Sequence, residues 1–270
     1  MSSFKEFELQ GWEIPAVVDN YHQHISTVTT QCAEALLDAA HVRSGCHLID
    51  VATGAGYVAA AAHQRGALAI GIDFSSTQIS LAQRSYPALN FQQADAETLP
   101  VADETFDAYV CAFGLCHFPN PDQALREAYR VLKHNGRIAF SVWDQPERTV
   151  GFGALFTAIQ KYGTKPLDVP AGPEFFQFSD PARCISALQE AGFSSPSVRQ
   201  VSQSWRLSEA DNLYYAVKEG SVRAAAAINS QTAEVREKIR NSLRETVEAH
   251  RVADHFEVPM PAIVATASKI

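Results

Sequence analysis

Between residues 46 and 143, short apolar runs alternate with segments whose apolar residues recur at helical spacing. The runs at 46–51, 68–72, 89–93, 106–112 and 137–143 are continuous in their apolar character, which predicts strands of a sheet covered on both faces. Helices are predicted between them at 56–65, 76–85 and 121–133, the first two stopped by Gly66 and Pro87. Their starts are marked. Ser75-Ser76-Thr77-Gln78 has the form of a capping box, and Asn120-Pro121-Asp122-Gln123 offers an N-cap, a proline at the first helical position and an acid in the first turn. Because crossovers between such strands are right-handed, the strands run parallel and their carboxyl ends open into one crevice. Upstream, Val28, Cys32, Ala35, Leu36 and Ala39 mark one face of a helix, preceded by a shorter helix after Pro15.

After Trp143 the alternation stops. Glycine, proline and phenylalanine crowd residues 144–178, among them Gly151, Pro166, Phe175 and Phe178, which predicts a loop-rich insertion with a short helix near 152–161. A helix at about 180–191 ends at Gly192, followed by a strand at 197–207, helices near 209–228 and 232–249, and a last strand ending in Ala262–Ala267. In the second of those helices Val235, Ile239, Leu243 and Val247 share the inner face. The resulting division is an N-terminal helical cap at 1–45, an α/β core at 46–143, a lid insertion at 144–178, and a C-terminal part of the core at 179–270 that carries a helical insertion at 208–250.

Composition narrows the function. With 270 residues, 46% of them hydrophobic, the chain has ample material for a core, yet no apolar run approaches a membrane span. The first residues alternate in charge instead of forming a targeting segment, so a cytoplasmic protein without a membrane partner is expected. Five scattered cysteines, with no C-x-x-C pair, indicate neither a disulfide framework nor a zinc site. His22-x-His24 lacks a third ligand, so no metal is expected. A net charge of −8 argues against a nucleic-acid partner and leaves small molecules as the substrate class. Nothing in the sequence sets an oligomeric state.

The chemistry concentrates at one junction. Leu48-Ile49-Asp50-Val51-Ala52-Thr53-Gly54-Ala55-Gly56-Tyr57 carries an apolar strand into a glycine turn, and the next strand ends in Asp73, 19 residues after Gly54. A backbone-lined hollow beside an acid that can grip a ribose suits a nucleoside ligand. Gly54-Ala55-Gly56-Tyr57-Val58-Ala59 also fits the dinucleotide pattern. Asp50 speaks against that reading, because an anion inside the strand opposes a pyrophosphate and favours a cationic ligand group. A further acid, Asp95, follows the third strand in Gln93-Ala94-Asp95-Ala96-Glu97.

Together with Glu104–Val110 and Arg130–Arg137, these segments resemble the class I S-adenosylmethionine-dependent methyltransferases, in particular their ubiquinone/menaquinone-biosynthesis-like small-molecule branch. The resemblance implies a Rossmann-like, doubly wound seven-stranded sheet of order 3-2-1-4-5-7-6 with its last strand antiparallel, the strands at 197–207 and 258–268 supplying the final pair. It implies S-adenosyl-L-methionine as cofactor and methyl transfer to oxygen, nitrogen or carbon of an apolar or aromatic acceptor. Asp50, Ala52, Thr53, Gly54 and Gly56 match the motif that holds the methionine part, with Asp50 favouring its amino group. Asp73 matches the ribose acid, Phe74 and Gln78 flank the adenine, Asp95 and Ala96 meet the adenine edge, and Ala112 and Phe113 lie under the sulfonium. Two positions depart from the family: alanine replaces its usual glycine at Ala52, and His134-Asn135-Gly136 replaces Pro-Gly-Gly.

Plainer roles stand beside these. The plainer role for Asp73 is that of a helix cap alone, and for Asp95 that of a loop acid alone. His117, just after the fourth strand, is the candidate to take a substrate proton, or it bonds structurally to a backbone carbonyl. Tyr21 is a second candidate over the site. Trp143, Phe152, Phe156, Phe175, Phe176 and Phe178 form either an apolar substrate lid or the insertion's own core. Two other functions remain open on sequence: a non-methylating member that binds S-adenosylmethionine, either as a binding module or as an enzyme using the sulfonium charge for a rearrangement or cyclisation, and a nicotinamide-dependent oxidoreductase.

Overall fold

In the computed structural model, residues 3–164 and 169–270 are described; Pro166 of the insertion lies outside them. The chain forms two compact units, one of residues 29–143, 173–201 and 262–270, the other of residues 1–28, 144–172 and 202–261.

The first of these is built on a seven-stranded sheet. Its strands, numbered in chain order, are β1 His47–Val51, β2 Leu68–Asp73, β3 Asn90–Gln93, β4 Phe106–Ala112, β5 Leu132–Trp143, β6 Ser194–Val201 and β7 Ala262–Ser268. They lie in the order β3-β2-β1-β4-β5-β7-β6. β1 to β5 pair in parallel, and β7 enters antiparallel to both β5 and β6. The order reverses between β1 and β4, so their carboxyl ends flank the crevice where such sheets bind ligands. Leu48, Ile49 and Val51 of β1 and Ala108 to Cys111 of β4 are all buried, as strands covered on both faces require. Helices Tyr57–Gln64, Ser76–Ser85, Pro121–Val131 and Pro181–Glu190 supply that cover. Two expected caps form: Ser75 Oγ accepts from Gln78 N at 3.1 Å and Asn120 Oδ1 from Gln123 N at 3.1 Å. All five cysteines are buried thiols.

The other unit is mainly helical. Ser3 and Glu6 form a capping box ahead of Phe4–Trp12, and Pro15–Asn20 passes into a wide turn at Tyr21–Ile25. Helices Val150–Tyr162, Asn212–Glu219, Arg223–Asn229 and Ala233–Glu248 accompany a small antiparallel sheet of Ser204–Leu207, His255–Pro259 and Arg251–Val252. Val235, Ile239, Leu243 and Val247 are buried along one face of Ala233–Glu248. No helix among the described residues is long and apolar enough to cross a membrane.

Several boundaries differ from expectation: β5 begins at Leu132, inside the helix expected to reach 133, and the helix expected through Val28 and Ala39 is interrupted by a tighter turn at Thr30–Cys32. The strand expected at 197–207 is two strands in different sheets, parted at Ser202-Gln203, where the Gln203 amide donates to the Val28 carbonyl and its own carbonyl accepts from Met260 N. The segment 258–268 divides likewise at Met260-Pro261. The helix expected over 209–228 breaks at Gly220-Ser221, with Ser221 Oγ accepting from Ala225 N at 3.2 Å at the start of the next helix.

Candidate functional site

The turn after β1 is shaped by backbone that most residues avoid. Gly54 and Gly56 have φ of +54° and +86°, and a Cβ on Gly56 would stand 2.6 Å from the Phe91 ring. At Gly54 the space is open, the nearest atom to such a Cβ being Gln78 Oε1 at 3.9 Å. The turn therefore offers a cradle at Gly54, while Gly56 is closed by packing. Ala52 also has positive φ, +57°. That is the conformation a glycine adopts freely and an alanine holds at a cost of about 1 kcal/mol. Its methyl lies opposite Gly114, where a Cβ would come within 2.7 Å of Ala52 Cβ and of Cys111 Sγ. The pair shares one methyl's worth of room at the switch point.

Two carboxylates hold this turn. Asp50 at the end of β1 is fully buried; its Oδ2 accepts from Thr53 Oγ1 at 2.7 Å and from Ala59 N at 3.0 Å, joining turn to helix. Its Oδ1 is buried without a partner among the described residues. Burial pushes the Asp50 carboxyl up to about 7, with the Asp73 charge adding to the rise and the two hydrogen bonds opposing it. Asp73 at the end of β2 accepts from Gly54 N at 2.9 Å through Oδ2 and from Ser75 N at 3.0 Å through Oδ1. Burial raises it to about 6, held down in part by those N–H groups and by His117. Each Asp73 oxygen retains a second lone pair for a ligand hydroxyl. An acid pair that is costly to ionise and flanks an open glycine cradle fits a ligand bearing positive charge and hydroxyls.

The other lining residues gather around this pair. Gln93 Nε2 donates to the Phe74 carbonyl at 2.8 Å, and Ala94 N to the Asp73 carbonyl at 2.9 Å, tying the ends of β2 and β3 together. Asp95 Oδ1 accepts from Glu97 N at 2.9 Å, so this acid shapes its own loop, and Ala96 beside it is buried. Past half-buried Ala112 at the end of β4, Phe113 adopts φ of +55°, a strained conformation for a bulky residue, with its N–H donating to the Ser141 carbonyl at 2.9 Å. Its ring lies 4.3 Å from that of Trp143, at the end of β5. His117 closes a short turn, Leu115–His117, and is half-buried.

The aromatic residues expected over the site are distributed between the two units. Phe178 is buried in the sheet unit's core, 5.9 Å from the Phe140 ring, and Phe175 and Phe176 meet edge to face at 5.0 Å. Phe152 packs near Trp205 at 6.4 Å and Phe156 is exposed, both in the helical unit, where Tyr21 meets Trp12 edge to face at 5.4 Å. The Phe113–Trp143 contact went unnoticed in the sequence, since the two residues stand 30 positions apart with no shared motif.

A glycine cradle at the switch point of a 3-2-1-4-5-7-6 sheet places the chain among the doubly wound α/β proteins, and comparison with known proteins narrows that class. The family model described as a methyltransferase domain matches residues 49–140. A ubiquinone/menaquinone biosynthesis C-methyltransferase UbiE of Rhizobium leguminosarum bv. trifolii is 34% identical over 182 residues, 60% of this chain and 70% of that protein. Its counterpart in Bartonella tribocorum is 42% identical over 100 residues, covering 34% of this chain and only 38% of the Bartonella protein. A phosphoethanolamine N-methyltransferase of Haemonchus contortus, solved with S-adenosylhomocysteine, shares the fold with a TM-score of 0.60 at 14% identity, covering 100% of this chain and 60% of that one. The chain belongs to the class I S-adenosylmethionine-dependent methyltransferases of the ubiquinone/menaquinone type. The cofactor that goes with this family is S-adenosyl-L-methionine.

Proposed function

We propose that the protein methylates a ring carbon of a quinol-like aromatic small molecule. The observation that carries this reading is the Asp73 carboxylate, fixed by Gly54 and Ser75 N–H groups beside an open glycine cradle, with the Phe113–Trp143 pair at the neighbouring strand ends. The UbiE-type relatives support the acceptor class. When bound, S-adenosylmethionine supplies an electrophilic methyl group on a positively charged sulfur. Asp73 takes the ribose hydroxyls, Phe74 and Gln78 flank the adenine, and Asp95 with the Ala96 backbone meets its edge. Gly54, flanked by Thr53, receives the methionine part along the turn, and Gly56, packed against the Phe91 ring, sets the turn's shape. Asp50, sealed beneath that turn, attracts the ammonium group through its field, because its side chain is fully buried.

The acceptor ring lies against Phe113 and Trp143, which exclude water and hold its plane. Such positioning is worth about 7–11 kcal/mol in favourable cases. Methyl transfer to the ring carbon would break the carbon–sulfur bond, its electron pair staying on the sulfur, and leave the acceptor a proton to lose, which His117 would receive. Labelled cofactor, incubated with a naphthoquinol, simple phenols and amines, tests the reading. Label on a ring carbon of the naphthoquinol, with turnover lowered at least about 100-fold in His117→Asn, is expected. Label retained on the cofactor with every acceptor refutes it.

A further inference from the structure

At the opposite edge of the sheet unit, residues 40–46 before β1 and His134–Arg137 of β5 enclose a cleft of about 470 Å³. That size falls within the range of small-molecule sites. Its cations outweigh its anions. Arg137 is half-buried and donates only to neutral acceptors: the Ala39 carbonyl at 3.1 Å, Ser268 Oγ at 2.9 Å and Thr266 Oγ1 at 3.1 Å. No carboxylate pairs with it among the described residues. Arg43 is exposed and likewise has no acidic partner there. The one lining carboxylate, Asp107, is already engaged by Lys133 Nζ at 2.8 Å and His47 N at 2.9 Å. Burial alone would raise it, but those two partners hold it below the usual carboxylate range. His41 is held below its ordinary value by burial and then by Arg137 and Arg43, which reports the same positive field.

The backbone keeps the cleft open. His41 and Asn135 both have positive φ, +55° and +65°, and a Cβ placed on Gly45 would meet nothing within 4 Å. The β1 residues His47 to Asp50 separate this edge from the Asp50 carboxylate by roughly 10–13 Å of strand, so the two sites are distinct.

We propose that this cleft binds a small multivalent oxyanion of the phosphorylated-metabolite class, with Arg43 and Arg137 as its counter-charges. A half-buried guanidinium without a counter-charge is costly, and a phosphate offers it paired oxygens in matching geometry. Pyrophosphate titrated into the full chain at low ionic strength is the test. Saturable binding is expected, weakened at least about tenfold by Arg43→Gln, with the same affinity for S-adenosylhomocysteine in both proteins. Arg137→Lys keeps the charge and loses the planar fork, so it too is expected to weaken pyrophosphate binding. If that variant does not fold, Arg43→Gln decides, since the Arg43 side chain is exposed and makes no hydrogen bond or ion pair among the described residues. No saturation at millimolar pyrophosphate, equal binding by Arg43→Gln, or displacement by S-adenosylhomocysteine overturns the proposal. Retention only by phosphatidylglycerol vesicles also overturns it, in favour of a lipid surface.

Discussion

Replacing Asp73 with asparagine keeps the shape of the side chain and removes its charge, which separates what the carboxylate does for the fold from what it does for the ligand. The acid is raised from 3.8 to about 6 in the folded chain. At about 1.4 kcal/mol per pH unit, keeping it ionised near neutrality costs the fold on the order of 3 kcal/mol. The sign follows from linkage. With the folded value above the unfolded one, the stability due to the protonated acid is complete below about pH 4 and is lost as the pH rises through about 6. Asparagine escapes that cost but has one acceptor oxygen, so either Gly54 N–H or Ser75 N–H loses its partner, at about 1–3 kcal/mol. The two nearly cancel. Asp73→Asn should therefore unfold near the wild-type temperature at pH 7.5, with a flatter stability profile between about pH 4 and 6. Its affinity for S-adenosylhomocysteine should fall by about 1.5–3 kcal/mol, roughly 10- to 150-fold, the worth of hydrogen bonds to a charged acceptor. Calorimetric titration and thermal unfolding across that range measure both. An affinity within about threefold of wild type would falsify the assignment of Asp73 to the ribose.

Because Asp50 and Asp73 are both raised, to about 7 and about 6, their binding-competent ionised forms fill as the pH rises. Calorimetry should show S-adenosylhomocysteine affinity growing up to about pH 7 and then levelling, with proton release on binding; a flat profile contradicts this. Gly56→Ala meets the Phe91 ring at 2.6 Å as well as a left-handed backbone, and should lower stability by about 2–4 kcal/mol in denaturant titration. Gly114→Ala should cost about 1–3 kcal/mol through its clash with the Ala52 methyl. Adding Ala52→Gly should return about 1 kcal/mol, since it removes the clash with the Ala52 methyl and the strained φ while the contact with Cys111 Sγ stays; additivity of the two changes would disprove the shared room.

Local signals carried much of the fold. Ser75 and Asn120 cap the helices their sequences mark, and the apolar runs of β1 and β4 become strands buried on both faces, whereas β3, expected to be covered likewise, lies at the sheet's edge and buries only Phe91. Asn135, standing where the family keeps a glycine, takes the left-handed backbone that asparagine tolerates, at φ +65°. Long-range contacts were less legible. Nothing in Ala52 or Phe113 as residue types announces a positive φ, because the conformation is imposed by the turn's packing. The chain's departure from one sheet to another at Ser202-Gln203 depends on partners at Val28 and Met260, far away in sequence. Gly220 did carry a local signal of the kind that marked Gly66 and Gly192, yet the helical periodicity running through it masked the break. The Asp50 carboxylate was recognisable as an acid within a strand, but its bond to Ala59 across the turn emerged only with the packed helix.

The placement of β7 has a consequence for synthesis. This strand is the last of the sheet to leave the ribosome, yet it lies between β5 and β6 and pairs with both. Until it arrives, the apolar β5 and the mostly polar β6 each present an unsatisfied border, and on the β5 side that border is the kind of surface on which nascent chains stick together. The region around the glycine cradle, drawn from β1, β2 and β4, is complete more than a hundred residues earlier. Ligand present during translation can therefore stabilise a half-made sheet, and refolding yields should depend on it more than the equilibrium stability of the finished protein does.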